Sequence, residues 1–298
     1  MSTGSRWPAA PAHELVELAP AKINLCLYLG PTRADGRHEL VSIMQSITLF
    51  DRLRLRAGDP GAGGDEVRCP GVDGPNICAD ALAAFRVATG WDGPPVVLEI
   101  EKHVPVAAGM GGGSGDAAAA VRLIARLAGI DDLDLELELA TGLGADVPGQ
   151  VRPGRVLATG AGERIVRLPD PEPFGILVLP SAARLRTPDV FRQADRMGLG
   201  RDAAGLEALD PIGRPEFVNE LEPAARALEP TIDHALAEAG RLGAHTAMVS
   251  GSGPTVFGLF RTPAGAVAAA GAAGDRDPAP VAAAPFVGSL RHNQMLRS

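Results

Sequence analysis

The sequence has 298 residues, 46% hydrophobic and 21% charged, which is typical of a globular protein with a sizeable core. The formal net charge of −8 disfavours general nucleic-acid binding. The sequence has no run of about 18 apolar residues, so it predicts no membrane span. Three cysteines without a C-x-x-C pair favour reduced thiols, and six scattered histidines disfavour a protein-held metal. The first twenty residues lack the pattern of an export signal, so we expect a cytoplasmic protein.

Strands are the first elements that the hydrophobic pattern predicts. Apolar alternation indicates strands in "LVELAP", "AKINLCLYLG", "VSIMQSITL", "DRLRLRA" and "PVVLEIEKHVP". Pro20 is expected to interrupt the first two of these. Asp35-Gly36 predicts a turn before the third.

Three helices are predicted in the same half of the chain. The first has Asn76 as its N-cap and Gly90 at its end. The second runs from about Asp116 to Leu127 and stops near Gly129. The third covers "DLDLELELATGLG", because leucine and glutamate are strong helix formers and β-branched residues are absent before its end.

The second half of the chain continues the mixture of strands and helices. We predict strands in "GRVLATGAGERIVRLP", "FGILVLPS" and "PVAAAPFVGS", and a strand-turn-strand unit in "AHTAMVSGSGPTVFGLF". Helices are predicted in "TPDVFRQADRMGL", "NELEPAARALEPTIDHALAEAGRLG" and "AGAVAAAGAAG". This order favours an α+β protein of two lobes, residues 1–168 and 169–298, with the break near Leu168 to Phe174.

The stretch "GMGGGSGDAAAA", Gly109 to Ala120, places five glycines directly before an alanine-rich helix. A flexible linker is one reading, but ordered segments flank it on both sides. Backbone N–H groups without side chains in the way can close on a phosphate, and a helix N-terminus adds its positive dipole. The segment therefore predicts a phosphate-binding loop.

Lysine is rare in this chain, which favours arginine at almost every basic position. The two exceptions are Lys22 and Lys102, and we assign no role to Lys102 in its strand-like segment. Lys22 in "PAKINL", Asp146 in "LGADVP" and the glycine loop together form a set suited to phosphoryl transfer. The common P-loop, the dinucleotide-binding loop and the G-x-S-x-G elbow are all absent.

These motifs carry a resemblance. "PAKINLCLYLGPTRADGRHEL", "VPVAAGMGGGSGDAAAAV", "LGADVP" and "SGSGPTVF", in this order, resemble the kinase superfamily named for galactokinase, homoserine kinase, mevalonate kinase and phosphomevalonate kinase. Within it, "PAKINL" with "ADGRHE" is similar to the 4-diphosphocytidyl-2-C-methyl-D-erythritol kinases of the non-mevalonate isoprenoid pathway. The resemblance implies a two-lobed fold with ATP between the lobes: an ATP-binding and catalytic N-terminal domain, and a C-terminal domain that completes the substrate cleft.

The same resemblance implies the site residues. Lys22 and Asp146 are the implied catalytic pair: Asp146 accepts the proton of the attacking hydroxyl, and Lys22 keeps it ionised. Mg²⁺ is expected to arrive with ATP, with no metal ligands assigned on the chain. The implied ATP-binding residues are Asn76, Pro105, Val106, Ala107, Ala108, Gly109, Met110, Gly111, Gly112, Gly113, Ser114 and Gly115. The implied substrate-binding residues are Asn24, Arg37, His38 and Phe191.

Two positions depart from the family pattern. Arg37 stands where the family usually has a tyrosine on one face of the cytosine, and a guanidinium plane can also stack on a pyrimidine. Gly115 replaces a serine or alanine before the acidic residue. Two alternatives stay open: a superfamily kinase acting on homoserine or a mevalonate derivative, and a nucleotide-binding protein without turnover. A small-molecule substrate is expected, with no nucleic-acid, membrane or obligate protein partner.

Overall fold

A computed structural model describes residues 14–59, 61 and 63–287 of the chain. The strands are β1 Leu15–Thr32, β2 His38–Ala57, β3 Glu66–Arg68, β4 Val96–Glu101, β5 Arg155–Gly160, β6 Arg164–Arg167, β7 Gly175–Leu179, β8 Val218–Asn219, β9 Thr246–Val249, β10 Val256–Phe260 and β11 Val281–Ala283. The helices are α1 Ile77–Thr89, α2 Gly112–Ala128, α3 Leu133–Leu143, α4 Val147–Val151, α5 Thr187–Arg196, α6 Ala203–Glu207, α7 Glu222–Leu228, α8 Thr231–Arg241 and α9 Pro263–Ala272. The mixture confirms the predicted α+β class.

The described chain forms two compact units, each built from several segments. Unit 1 contains the described residues up to Ala19, together with Phe50–Val104 and Gly112–Val151. Unit 2 contains Pro20–Leu49, Pro105–Gly111 and the described residues from Arg152 onward. The chain therefore passes from one unit to the other within β1, within β2 and within the glycine loop. The predicted division at residues 168 and 169 stays a prediction.

Unit 1 packs helices on one face of a short sheet. The second half of β2 pairs antiparallel with β4, which pairs in parallel with β3. The alternation in "DRLRLRA" buries the leucines and leaves the arginines on the other face. Buried side chains of α1 and α2 cover the leucine face, and the resulting core contains Leu53, Leu55, Leu82, Phe85, Leu98, Ile100, Leu123, Ile124 and Leu127.

Unit 2 contains strands of two sheets. The first half of β2 pairs antiparallel with β5, which continues to β6, while β1 pairs in parallel with β8 at Cys26 and Leu27. The second sheet has the order β11-β7-β10-β9. Its strands β7 and β10 are buried throughout, and the core there includes Leu177, Leu179, Val190, Ala224, Ile232, Val249 and Val256. This sheet and its helices support the turn between β9 and β10, which enters the candidate site.

Most predicted elements are confirmed. Asn76 caps α1, its Oδ1 accepting from Cys78 N at 2.9 Å, and Gly90 ends the helix with φ +65°. Asp35-Gly36 forms the predicted turn, with Gly36 at φ +80°. The strand-turn-strand unit around the Gly-Ser-Gly sequence is the antiparallel pair β9–β10. Among the described helices, none is both long and apolar enough to cross a membrane.

Several boundaries were wrong for identifiable reasons. β1 is continuous through Pro20, because the fixed φ of proline is compatible with an extended strand. The strands predicted on either side of Phe50 are one strand, β2. The helix predicted across Pro230 is divided there into α7 and α8, because proline cannot continue a helical hydrogen-bond ladder. "GRVLATGAGERIVRLP" is a hairpin of β5 and β6, with Gly160 and Gly162 at positive φ in its turn.

Short elements were not predicted: β3, β8, α4 and α6 have five residues or fewer. Two sequence-based predictions extend beyond the described residues. The export prediction rests mainly on residues 1–13, and the closing strand prediction includes residues 288 and 289.

Candidate active site

Lys22 lies on β1 with its side chain buried, 5% exposed. Its Nζ donates to Asn24 Oδ1 at 2.8 Å, because residues two apart on a strand share one face. Asn24 Nδ2 donates in turn to Ser42 Oγ at 2.8 Å, and Ser42 Oγ donates to the carbonyl of Cys26 at 2.6 Å. This chain fixes the orientation of the Asn24 amide, so its oxygen faces the ammonium.

The unit 2 part of the glycine loop approaches Lys22 closely. The backbone N–H of Lys22 donates to the carbonyl of Met110 at 2.9 Å. Gly109 and Gly111 have φ values of +72° and +66°, a region that favours glycine. A Cβ on Gly111 would lie 3.0 Å from Cγ of Lys22, and a Cβ on Gly109 would lie 2.1 Å from the carbonyl oxygen of Ser250. Glycine is therefore required at both positions for conformation and for close packing.

The Gly-Ser-Gly turn between β9 and β10 lies against the same site. Ser250 Oγ donates to the carbonyl of Gly109 at 3.0 Å. Gly251 has φ +54°, and a Cβ there would lie 3.4 Å from both Lys22 Nζ and Asn24 Oδ1. Three motifs that are distant in the sequence, "PAKINL", "AAGMG" and "SGSGP", thus meet around one buried ammonium.

Asn219 supports this turn and was not among the residues that the sequence predicted. Its Nδ2 donates to the carbonyls of Val249 and Gly251, both at 2.8 Å, and its Oδ1 accepts from Leu221 N at 3.0 Å. Every donor and acceptor class of the amide is used, and the side chain is 6% exposed. A buried asparagine in a two-residue strand leaves no periodic signal, so only the structure identifies it.

Unit 1 contributes the second part of the glycine loop, which is helical. α2 begins at Gly112, four residues earlier than predicted, so Gly112 to Gly115 form its first turn. The first four N–H groups of a helix lack intrahelical partners, and together with the dipole they attract anions. Gly113 has open space, since a Cβ there would have Ile77 Cγ2 as its nearest neighbour, at 4.0 Å. This first turn is the part of the loop best suited to bind phosphate.

Asp146 and Asn76 also lie in unit 1. Asp146 is half-buried and directly precedes α4. Asn76 Oδ1 is used as the N-cap of α1. Because Lys22 belongs to unit 2, the pairing of Lys22 with Asp146 stays a prediction. The nucleotide role of Asn76 stays one as well.

His38 and Phe191 form an aromatic pair in unit 2. Their ring centroids are 5.4 Å apart with planes tilted by 37°. His38 Nδ1 lies 3.0 Å from the carbonyl of Gly30, which holds the ring when that nitrogen is protonated, and Nε2 lies 3.1 Å from Asp195 Oδ1. A flat ring and an imidazole edge are the elements needed to bind a pyrimidine.

Arg37 directly follows the Asp35-Gly36 turn and is held there by Asp35. Its Nε and Nη2 donate to Asp35 Oδ2 at 3.1 and 2.9 Å, and its backbone N donates to Asp35 Oδ1 at 3.0 Å. Hydrogen bonds from the backbone and side chain of Arg37 lower the pKa of Asp35. Arg37 is 54% exposed at its side chain, so the guanidinium is positioned by Asp35 and still accessible to a ligand.

The three cysteines have no place in this chemistry. All are free thiols, as the sequence predicted. Burial raises the pKa of Cys26 to about 11 and that of Cys78 well above its usual value. Both thiols are therefore protonated and unreactive at neutral pH.

Family profiles and relatives identify this arrangement. The N-terminal domain profile of the GHMP kinases matches residues 76–154, and their C-terminal profile matches residues 198–277. The chain belongs to the GHMP kinase family. The GHMP kinases are ATP-dependent phosphotransferases, so the predicted family, two-domain fold and kinase activity are confirmed.

Several relatives of this GHMP kinase share the same name. The 4-diphosphocytidyl-2-C-methyl-D-erythritol kinase of Anaeromyxobacter sp. (strain K) is 41% identical over 261 residues, 83% of this chain and 80% of that protein. The protein of that name from Streptomyces coelicolor is 37% identical over 255 residues, 79% of this chain and 84% of that one. A crystal structure of 4-(cytidine 5'-diphospho)-2C-methyl-D-erythritol kinase matches with TM-score 0.75 and 32% identity, covering 92% of this chain and 100% of that one.

A more distant structure shares the fold alone. Homoserine kinase from Cytophaga hutchinsonii matches this GHMP kinase with TM-score 0.68 and 20% identity, covering 94% of this chain and 97% of that chain. At this identity the likeness carries no information about the substrate.

Proposed function

We propose that this GHMP kinase transfers the γ-phosphoryl group of ATP to the 2-hydroxyl of 4-diphosphocytidyl-2-C-methyl-D-erythritol, in the non-mevalonate isoprenoid pathway. The observation that supports this most strongly is the 41% identity to a kinase of that name over 83% of the chain. The site residues agree with it, because the aromatic pair of His38 and Phe191 offers a stacking surface to a cytosine.

In the proposed mechanism, Asp146 accepts the proton of the attacking 2-hydroxyl as general base. Lys22 stabilises the negative charge of the transferred phosphoryl group, and its ammonium is held in place by Asn24. The N–H groups of the first turn of α2 bind the phosphates of ATP. Phosphoryl transfer requires this positioning and charge stabilisation more than any covalent participation of the protein.

Mg²⁺ is proposed to enter with ATP as part of the substrate. In the part of the chain that the structure describes, no three His, Cys, Asp or Glu side chains are grouped to hold a metal ion. At kinase sites Mg²⁺ usually takes its oxygen ligands mainly from phosphates and water. With Mg²⁺ bound, the negative charge of the nucleotide phosphates would be partly neutralised.

Release of ADP with different acceptors tests the proposed substrate. The wild-type chain is assayed with 4-diphosphocytidyl-2-C-methyl-D-erythritol, homoserine and mevalonate, each at several concentrations with saturating Mg·ATP. We expect kcat/KM for the cytidine substrate to exceed that for the others by at least about 1,000-fold. An acceptor without the cytosine would leave the polar groups that bind this base unpaired, which raises its activation free energy. A higher kcat/KM for homoserine or mevalonate would establish the alternative kinase function.

A further inference from the structure

Three charged side chains are buried together in unit 1. Lys102 Nζ donates to Asp51 Oδ2 at 2.5 Å and to Asp116 Oδ2 at 2.8 Å. The side chains of Asp51, Asp116 and Lys102 are 0%, 6% and 14% exposed. We call these three residues the Lys102 cluster. Buried charges are costly unless each is paired, so this arrangement requires a reason.

The cluster links the residues directly before and directly after the glycine loop. Asp51 Oδ1 accepts from the backbone N–H groups of His103 at 2.6 Å and Val104 at 2.8 Å, just before Pro105. Lys102 then connects Asp51 to Asp116, which directly follows the first turn of α2. One chain of charge-assisted hydrogen bonds therefore fixes the end of the β4 segment to the start of α2.

The cluster also packs against the start of the helix. A Cβ on Gly112 would lie 3.0 Å from Val104 Cγ1 and 3.4 Å from Lys102 Nζ. Gly112 thus lies close to Val104 and to Lys102, with little room for a side chain between them. Because the ammonium already has two carboxylate partners, it is better placed to fix this backbone than to bind a phosphate itself.

From this geometry we infer that Asp51, Lys102 and Asp116 are positioning residues for nucleotide binding, which hold the first-turn N–H groups of α2 in the orientation that receives the phosphates of ATP. The inference rests on the proposed phosphate role of this turn. Preorganised donors bind tightly because they lose little freedom when the ligand arrives.

The charge of the cluster gives the inference a specific consequence. Burial raises the pKa of Asp116 to about 7; Lys102 lowers that pKa and Asp51 raises it. Cys69 and Cys78 also face the cluster, and burial raises the pKa of both thiols, so they stay neutral. Oδ1 of Asp116 is buried and accepts no hydrogen bond from any described residue, so it can carry a proton.

The protonation state of Asp116 decides the net charge of the Lys102 cluster, which lies beside the N-terminus of α2. With Asp116 protonated, one ammonium balances one carboxylate. With Asp116 ionised, the cluster carries a net charge of −1 beside the turn that binds an anion. Nucleotide affinity is therefore expected to fall as the pH rises through about 7, in addition to any change caused by titration of ATP itself.

Calorimetric binding of Mg·ATP to the whole chain tests the inference without an acceptor substrate. The variants are Lys102→Met, Lys102→Arg and Asp116→Asn. The matched control is Arg126→Met, which removes an exposed ion pair to Glu17 at the other end of α2. We expect Kd for Mg·ATP to rise about 10-fold or more in Lys102→Met, to recover partly in Lys102→Arg, and to be unchanged in the control.

The pH profile separates positioning from a purely structural role. Between pH 6 and 8.5, Asp116→Asn should remove the decrease in affinity that the wild type shows beyond the titration of ATP. In turnover assays, KM for ATP should rise in Lys102→Met while kcat changes less than about 3-fold. An unchanged Kd in folded Lys102→Met, or identical pH profiles for Asp116→Asn and wild type, would overturn the inference. Failure of the proposed acceptor in the ADP assay would leave this binding test intact.

Discussion

The side-chain amide of Asn24 joins Lys22 to Ser42. It accepts from Lys22 Nζ at 2.8 Å and donates to Ser42 Oγ at 2.8 Å, and all three side chains are buried. An ammonium on a flexible four-carbon stem gains a fixed position from this contact. Asn24 therefore has a positioning role whether or not it also contacts the substrate.

Asn24→Ala is expected to lower kcat by about 10-fold to 100-fold, because the Lys22 ammonium loses its hydrogen bond to the Asn24 amide. Steady-state ADP release measures the effect, with KM for both substrates determined in parallel. Ser42→Ala is the comparison variant, since it keeps the Lys22–Asn24 contact and removes the hydrogen bonds of Ser42 Oγ to Asn24 and to the carbonyl of Cys26. Equal kcat in Asn24→Ala and wild type would remove Asn24 from the site.

Gly113→Val is expected to weaken Mg·ATP binding without unfolding the protein. A Cβ at Gly113 has no atom closer than 4.0 Å, so the fold accepts a side chain there. The valine would nevertheless cover the first turn of α2, where a phosphate needs close approach to the backbone. The measurement is Kd by calorimetry, combined with Tm; normal affinity in the folded variant would refute phosphate binding at this turn.

Gly109→Ala provides the contrasting case within the same loop. Gly109 has φ +72°, and its Cβ would meet the carbonyl oxygen of Ser250 at 2.1 Å. We expect a loss of about 2 kcal/mol or more in the free energy of unfolding, since the left-handed conformation alone costs about 1–2 kcal/mol. Urea unfolding measures this, and a stability equal to that of wild type would show that the loop relaxes easily.

Arg37 is expected to contribute to binding of the cytidine substrate. Asp35 fixes the guanidinium plane and offsets part of its charge, which favours stacking over long-range attraction. Arg37→Ala should raise KM for the cytidine substrate about 5-fold to 10-fold and leave KM for ATP unchanged. Arg37→Tyr should preserve affinity, and wild-type affinity should depend weakly on salt.

The opposite results for Arg37 have definite meanings. A strong salt dependence together with weak binding by Arg37→Tyr would assign Arg37 to the diphosphate. An unchanged KM in Arg37→Ala would make it a surface residue and favour a broader or different substrate.

Asp116 is expected to make stability depend on pH. Because the pKa of Asp116 is raised to about 7 in the folded chain, the folded state holds this proton more tightly than the unfolded state does. The contribution of Asp116 to the free energy of unfolding is therefore complete below its unfolded pKa, near 4. This contribution is lost as the pH rises through about 7. The loss is at most about 1.4 kcal/mol per pH unit.

Asp116→Asn isolates this contribution, because the amide has the same shape and no titration near neutral pH. The difference in unfolding free energy, wild type minus Asp116→Asn, should decrease steadily between pH 5 and pH 7.5. Urea unfolding at four pH values measures it. A constant difference would contradict the raised pKa.

The sequence was most informative where a residue type is dictated by local backbone geometry. Asn76 and Gly90 bound α1 as predicted, because caps act over three or four residues. The start of α2 was misplaced because glycine propensity argues against a helix, whereas packing on Val104 and Lys102 decides it. Local propensity cannot represent such contacts.

Contacts between distant segments were beyond sequence reasoning. Asn219 and the Lys102 cluster depend on pairing across strands, and no periodicity records which buried polar groups meet. Lys102 was assigned no role because a lone lysine in a strand has no local signature. The meeting of Lys22 with the loop and the Gly-Ser-Gly turn is likewise a contact between distant segments that only the structure shows.

Phosphoryl transfer that uses Asp146 as general base is tested most directly by kcat of Asp146→Asn with ATP and the cytidine substrate. Asp134→Asn, an acidic residue in the first turn of α3, is the control for loss of a charge. Asparagine keeps the size of Asp146 but cannot accept the proton, so kcat should fall about 100-fold or more while both KM values change little. A kcat for Asp146→Asn within about 3-fold of wild type, with the control also unaffected, would contradict general-base catalysis by Asp146.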